Sequence, residues 1–308
     1  MKDGSLVTVV TGGTSGVGKA VCELLSTGGD RTFILCSRTE PAQPLSFEHH
    51  WLPLDLSDPA SVTRCAAAIA TRTDRIDTLI LNAGIAPSPL AKPQANADGI
   101  DGVFAANFVG HAALTIALLP LLRVSAQPPR VLATSSSAHY LGAAARVASL
   151  PYSPSSTSYP DSKLAFHLFG LELTARHPWL TFVTVNPGGV HTPLVANTIG
   201  AVVPCCPSCL RCRPNDVSPA TSAKVFAFAL GLDLAASGRR HAHVAPSYYC
   251  ADCGPAAAAC EICQRCSWSP RDARESAHAA DGAAAAKLWQ WAVDEGAPGP
   301  GAIRMKRE

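Results

Sequence analysis

Leu6-Val7-Thr8-Val9-Val10-Thr11-Gly12-Gly13-Thr14-Ser15-Gly16-Val17-Gly18-Lys19 decides the fold. The first five residues read as a strand, and Val21, Leu24 and Leu25 mark the inner face of a helix that follows. Between them the chain must turn sharply, and a phosphate can approach backbone N–H groups only where no Cβ stands in the way. The helix N-terminus adds partial positive charge for a pyrophosphate. The spacing is Gly-x-x-x-Gly-x-Gly, which differs from the commoner Gly-x-Gly-x-x-Gly fingerprint. A strand before and a helix after favour nucleotide binding over an empty glycine turn, and Gly12, Thr14, Ser15, Gly16, Val17 and Gly18 are the residues expected to cradle it.

Working outward, Thr32–Cys36 reads as a second strand, ending at Ser37 and Arg38. A carboxylate there would bind the ribose 2′-OH of NAD; an arginine accommodates the 2′-phosphate of NADP. No carboxylate occurs before Glu40, so NADP(H) is the expected cofactor. His50–Leu54 reads as a third strand despite Pro53, followed by Asp55, a candidate adenine contact, and by Ser57 or Asp58 as a helix cap. Thr78–Leu81 is a fourth strand leading to Asn82-Ala83-Gly84, and a long helix is expected from about Asp101 to Leu122, containing Asn107, Gly110 and His111. Arg130–Thr134 is a fifth strand before Ser135-Ser136-Ser137; Thr181–Val185 is a sixth before Asn186-Pro187-Gly188-Gly189. Alternating strands and helices imply an α/β fold, a Rossmann-type doubly wound parallel sheet with helices on both faces. Ligands in such sheets bind beyond the carboxyl ends of the strands, where Gly12, Asn82, Ser136 and Pro187 all fall.

Tyr159-Pro160-Asp161-Ser162-Lys163 opens another helix, with Pro160 tolerated in its first turn. An i, i+4 spacing puts the phenol and the ammonium on one face, and the lysine charge is expected to lower the phenol pKa towards neutrality. That would make Tyr159 a usable proton donor or acceptor.

Together, Thr11-Gly12-x-x-x-Gly16-x-Gly18, Asn82-Ala83-Gly84, Asn107, Ser136, Tyr159-x-x-x-Lys163 and Pro187-Gly188 resemble the short-chain dehydrogenase/reductase family over roughly residues 5 to 250. Asn107-Phe108-Val109-Gly110-His111, Arg130 to His139 and Ser162-Lys163-Leu164-Ala165 are most similar to its retinol dehydrogenase-like and protochlorophyllide reductase-like branches. The resemblance implies that Tyr159 exchanges a proton with the substrate oxygen. Lys163 would tune it and hold the nicotinamide ribose, Ser136 would hydrogen-bond that oxygen, and Asn107 would support Lys163. Ser136 is chosen over Ser135 and Ser137 by matching Arg130 and His139 to the family pattern. Thr192 would contact the nicotinamide amide.

The chain has 308 residues, 47% hydrophobic and 16% charged, with a formal net charge of +2, which gives no reason to expect nucleic acid or an acidic membrane as partner. One domain over residues 1–308 is expected, cytoplasmic, with no targeting segment before the first strand and no transmembrane segment. A small carbonyl or alcohol is the expected partner, and homo-oligomer formation is compatible with the sequence. Leu194, Val195, Ile199, Val202 and Val203 suggest an apolar substrate.

Of the twelve cysteines, Cys22, Cys36 and Cys65 read as core, and nine lie between Cys205 and Cys266. The segments at about 205–212 and 250–266 are open to three readings: structural zinc, reversible lipidation or free thiols. The catalytic set is complete without metal. A light-dependent double-bond reductase is a weaker enzymatic reading. Outside enzymes, the alternative is a non-catalytic nucleotide-sensing or zinc-linked interaction protein, which would not need all four of Asn107, Ser136, Tyr159 and Lys163. Ala283 to Val293, with Leu288, Trp289 and Trp291, reads as a last helix packing a core or a subunit interface.

Overall fold

The computed structural model describes residues 4–87, 92–96, 98–190, 217–234, 236, 238–249, 267–272 and 277–294. Strands β1 (Leu6–Thr11), β2 (Arg31–Ser37), β3 (His49–Pro53), β4 (Thr78–Leu81), β5 (Arg130–Thr134), β6 (Thr181–Val185), β7 (His241–Tyr249) and β8 (Ser267–Asp272) form one sheet in the order β3-β2-β1-β4-β5-β6-β7-β8. Seven strands run parallel; β8 pairs antiparallel with β7, from Val244 opposite Asp272 to Tyr249 opposite Ser267. The expected doubly wound architecture is therefore correct, with an antiparallel edge strand that the sequence reading does not anticipate. Pro53 is accommodated because β3 is the opposite edge, where a missing N–H costs no ladder bond.

The apolar strands alternate between two cores. Val9, Ile34, Leu79, Leu81, Val131 and Phe182 face one side, under helices α2 (Pro59–Arg72), α3 (Gly102–Arg123), α4 (Ser158–Arg176) and α6 (Gly282–Asp294). Val10, Phe33, Leu35, Ile80, Leu132 and Val183 face the other, under α1 (Gly16–Ser26) and α5 (Pro219–Gly231). A period of two in a strand sends neighbours to opposite faces, and both faces here are covered. Cys22, Cys36 and Cys65 are buried free thiols, as expected. Trp289 and Trp291 are buried, and Trp289 stacks on Phe169 at 5.4 Å, which settles α6 on the core side of the two expectations.

Asp58, rather than Ser57, caps α2, accepting from the N–H of Ala60. α3 is long and apolar enough to cross a membrane by length and composition alone, but 72% of its apolar window is buried within the fold, as in a core helix. It packs closely on the loop after β3: a Cβ added to Gly110 would lie 2.1 Å from the carbonyl oxygen of Leu56. Near its start the helix widens into a π turn over Ala105–Val109, where the Gly110 N–H reaches back to the carbonyl of Ala105. Such single π turns are frequent where a helix must redirect a side chain. Thr192, the two cysteine-rich segments and the apolar residues 194–203 lie outside the described residues.

Candidate active site

The strand order reverses between β1 and β4, which opens a crevice at their carboxyl ends. On the β1 side, Gly12 and Gly16 adopt φ of +67° and +54°, and a Cβ on Gly18 would lie 2.3 Å from the carbonyl oxygen of Gly12. Only glycine allows this tight path. Ser15 sits at the N-cap of α1 without capping through its side chain, and the first turn carries no acidic residue. The leading N–H groups of a helix have no intrahelical acceptor. The turn thus fits an anionic pyrophosphate, with Thr14, Ser15, Gly16, Val17 and Gly18 around it.

At the end of β2, Arg38 is exposed beside Ser37. The Ser37 hydroxyl is already engaged, donating to the Thr39 carbonyl at 2.8 Å and accepting from the Trp51 indole at 3.0 Å. Arg38, exposed and with its charge near Asp55, is therefore the stronger candidate there. Asp55 accepts from the N–H and hydroxyl of Ser57; these bonds, aided by the Arg38 charge, hold its carboxyl below the usual range.

Across the crevice, Asn82 donates through Nδ2 to the carbonyls of Thr11 and Gly12 at 3.2 and 3.3 Å, tying β4 to the glycine turn. Asn107 is fully buried in the π turn and bonds backbone. Its Oδ1 accepts from the Ile85 N–H at 2.7 Å and its Nδ2 donates to the Ile85 carbonyl at 2.9 Å. A Cβ on Gly84 would lie 3.4 Å from Asn107 Oδ1 and 3.7 Å from Lys163 Nζ, so both side chains converge above that glycine. Beyond β6, Gly188 takes φ of +81° and its N–H bonds Asn186 Oδ1, while Ser222 of α5 holds the Pro187 carbonyl at 2.8 Å.

Tyr159, Lys163 and Ser136 meet at the carboxyl end of β5. Lys163 Nζ donates to the Thr134 carbonyl at 2.9 Å and lies 5.5 Å from the centroid of the Tyr159 ring. Burial lowers Lys163 to about 8. The Ser136 hydroxyl lies near enough to the Tyr159 phenol to favour its ionised form. Ser135 is turned away, with its hydroxyl on His167 Nε2 at 2.9 Å. The expected depression of the Tyr159 pKa does not appear. Burial pushes the phenol up, the nearby Ser136 hydroxyl works against it, and the Lys163 ammonium lies 5.5 Å from the ring centroid.

Four positioning features escaped the sequence reading. Asp161, between Tyr159 and Lys163, is fully buried and accepts from the Ala143 N–H, two Arg146 nitrogens, the Tyr152 hydroxyl at 2.6 Å and the Thr157 hydroxyl. It anchors the loop before α4 to the helix. Ser162 donates to the Tyr159 carbonyl and accepts from Asn107 at 3.3 Å. The Thr11 hydroxyl meets His111 Nε2 at 2.8 Å, and the N–H groups of Asn82 and Ala83 point at it. The only signal in the sequence for His111 is its i+4 offset from Asn107, which places both on one helix face.

A nucleotide-binding turn at a sheet switch point, with a serine, tyrosine and lysine gathered beside it, defines a class. Residues 6–201 match the short chain dehydrogenase family, and the chain belongs to it. It is 32% identical to polyprenol dehydrogenase of Mus musculus over 210 residues, which is 61% of each protein. Retinol dehydrogenase 11 of Homo sapiens is 32% identical over 205 residues, 62% of this chain and 63% of that one. The chain thus spans about three-fifths of the length of these curated relatives. Among solved structures, an uncharacterized protein from Mycobacterium paratuberculosis superposes with a TM-score of 0.67 at 26% identity, covering 93% of this chain and 91% of that one. An NADPH-bound carbonyl reductase from chicken fatty liver shares the fold, with a TM-score of 0.57 at 21% identity over 78% of this chain and 96% of that one.

Proposed function

We propose that the chain is an NADP(H)-dependent oxidoreductase that interconverts a carbonyl and an alcohol on an apolar small molecule. The observation that carries this reading is the convergence of Ser136 and Lys163 on Tyr159 at the crevice, beside the glycine turn.

The dinucleotide, when bound, supplies or accepts the hydride. Gly12 to Gly18 would hold its pyrophosphate, Asp55 its adenine, Arg38 its 2′-phosphate, and Asn82 to Gly84 with Pro187 and Gly188 would flank its other half. Thr192, by the family resemblance, would contact the nicotinamide amide. This chain's own residues handle the proton. Ser136 orients the substrate oxygen beside the Tyr159 hydroxyl and stabilises charge developing on it. Tyr159, kept protonated by its buried setting, donates to that oxygen in the reductive direction. Lys163, cationic below about 8, then favours the phenolate left behind. Asn107 and Asp161 keep the two ends of this arrangement in place through backbone bonds.

The apolar substrate class is supported by relatives named for retinol and polyprenol, both apolar alcohols. NADP(H) is supported by the exposed Arg38 and by the absence of an acidic residue at the end of β2. A panel of apolar and polar carbonyls, with NADPH and NADH oxidation as readout, tests the reading. NADPH-dependent turnover of an apolar carbonyl is expected. Tight NADPH binding with no turnover of any carbonyl, or of alcohols in reverse, would favour the nucleotide-sensing alternative.

A further inference from the structure

The ring of hydrogen bonds behind the crevice has a direction, and this direction assigns a role to His111; the argument rests on the oxidoreductase reading above. His111 and Thr11 are both fully buried. His111 Nδ1 lies 2.8 Å from the carbonyl oxygen of Asn107, which has no proton, so Nδ1 carries the hydrogen. Burial, reinforced by the nearby Lys163 charge, holds the imidazole neutral down to about 3. Nε2 therefore presents only a lone pair, and the Thr11 hydroxyl at 2.8 Å must donate to it. The other acceptor within reach of that hydroxyl, the Ile80 carbonyl, is farther at 3.4 Å.

With its proton committed, Thr11 Oγ1 keeps both lone pairs for the N–H groups of Asn82 and Ala83, at 2.9 and 3.1 Å. The next residues return to the start, because Ile85 is held through both backbone groups by the Asn107 side chain. Asn107, His111, Thr11 and the Asn82–Ile85 segment form one closed circuit. It spans the ends of β1 and β4 and the π turn of α3.

We propose that His111 is a positioning residue: by fixing Thr11 as the donor, it sets the Asn82–Gly84 floor of the crevice against Asn107 and Lys163. It touches none of the reacting atoms and works through Thr11. Glutamine at this position could still offer one donor and one acceptor; phenylalanine, similar in shape, offers neither.

The test uses the full-length protein with His111→Phe, His111→Gln, Thr11→Val and the Thr11→Val/His111→Phe pair. NADPH binding is followed by calorimetry and turnover by steady-state kinetics. His111→Phe is expected to lower kcat and weaken NADPH binding by about tenfold or more, with His111→Gln recovering most of both. The double variant is expected to be no worse than the poorer single one, because both break the same circuit. A folded His111→Phe protein within about twofold of the parent in both measurements would overturn the proposal, as would multiplicative losses in the double variant. If His111→Phe does not fold, imidazole nitrogen NMR of the parent protein decides: an Nδ1–H tautomer near neutral pH supports the circuit, and an Nε2–H tautomer overturns it. A parent protein that neither binds NADPH nor turns over a carbonyl defeats the oxidoreductase reading instead, and the tautomer still reports on the circuit by itself.

Discussion

Tyr159 holds a phenol that its surroundings make a weaker acid than in water, next to a lysine that the same surroundings make a weaker base. The two shifts move the groups apart in proton affinity, from nearly equal ordinary values to a phenol above its usual value and an ammonium at about 8, so the phenol holds its proton until the substrate oxygen takes it. Ser136 favours the ionised phenol from nearby, and Lys163 lies 5.5 Å from the centre of the ring. Removing the phenolic oxygen removes the proton donor and leaves the glycine turn and Lys163 in place. Tyr159→Phe should therefore reduce turnover by ~1000-fold or more while NADPH affinity changes by no more than about threefold. Comparable losses in calorimetric binding and in turnover would show that Tyr159 supports the dinucleotide rather than the chemistry. Arg38 makes the complementary case for cofactor choice. It is exposed at the end of β2 with no carboxylate in that strand, so an aspartate there reverses the charge facing a 2′-phosphate. Arg38→Asp should move the ratio of kcat/KM for NADPH over NADH towards NADH by about tenfold or more. A ratio that stays put would mean that other groups read the phosphate.

The elements that carry these residues differ in how plainly the sequence announces them. β1, β2, β4, β5 and β6 are short apolar runs bounded by polar residues, and each is found where its pattern places it. β8 is not, because Ser267-Trp268-Ser269-Pro270-Arg271-Asp272 has little apolar alternation and its pairing depends on β7, far away in sequence. The candidate site divides in the same way. Glycines, the serine and the Tyr159–Lys163 pair are visible because their chemistry needs particular residue types at local spacing. Asp161 and the π turn are not, since Asp161 earns its meaning from Ala143, Arg146, Tyr152 and Thr157 brought together only by the folded loop. At the end of the π turn α3 packs closely on the loop after β3, and Gly110 marks the contact. Its hypothetical Cβ meets backbone, the Leu56 carbonyl, which cannot swing aside as a side chain would. Gly110→Ala should lower unfolding free energy by ~1–3 kcal/mol, and also reduce turnover, because α3 carries Asn107. Gly231→Ala is the control: nothing lies within 4 Å of its Cβ, and its stability should change by less than about 1 kcal/mol. Equal denaturation midpoints for the two variants would refute the packing argument.

At the scale of the whole molecule, the buried histidines tie stability to pH. His139, His167 and His243 lie together beneath the serine loop, with ring centroids 4.4 to 5.0 Å apart, and His111 lies fully buried in the other half of the site. Burial and the mutual proximity of the rings lower His167 and His243 well below the ordinary imidazole value, and burial lowers His111 from 6.5 to about 3. The sign follows from proton counting. Below about 6.5 the unfolded chain binds protons at these positions, whereas the folded chain refuses them until far lower pH, down to about 3 for His111. The unfolded state then holds more protons, so stability rises with pH through this window and levels off above it. These groups thus contribute stability that is complete above about 6.5 and is lost as the pH falls. Each proton that the unfolded chain binds and the folded chain refuses steepens the loss by about 1.4 kcal/mol per pH unit. Lys163 acts elsewhere, since its shift from 10.5 to about 8 changes stability only on the alkaline side. The thermal midpoint should therefore be nearly constant from about pH 7 to 8 and fall by ten degrees or more, roughly, by about pH 5. A midpoint that holds within about two degrees down to pH 5 would show that the imidazoles accept protons in the folded protein, through local opening or water that reaches them.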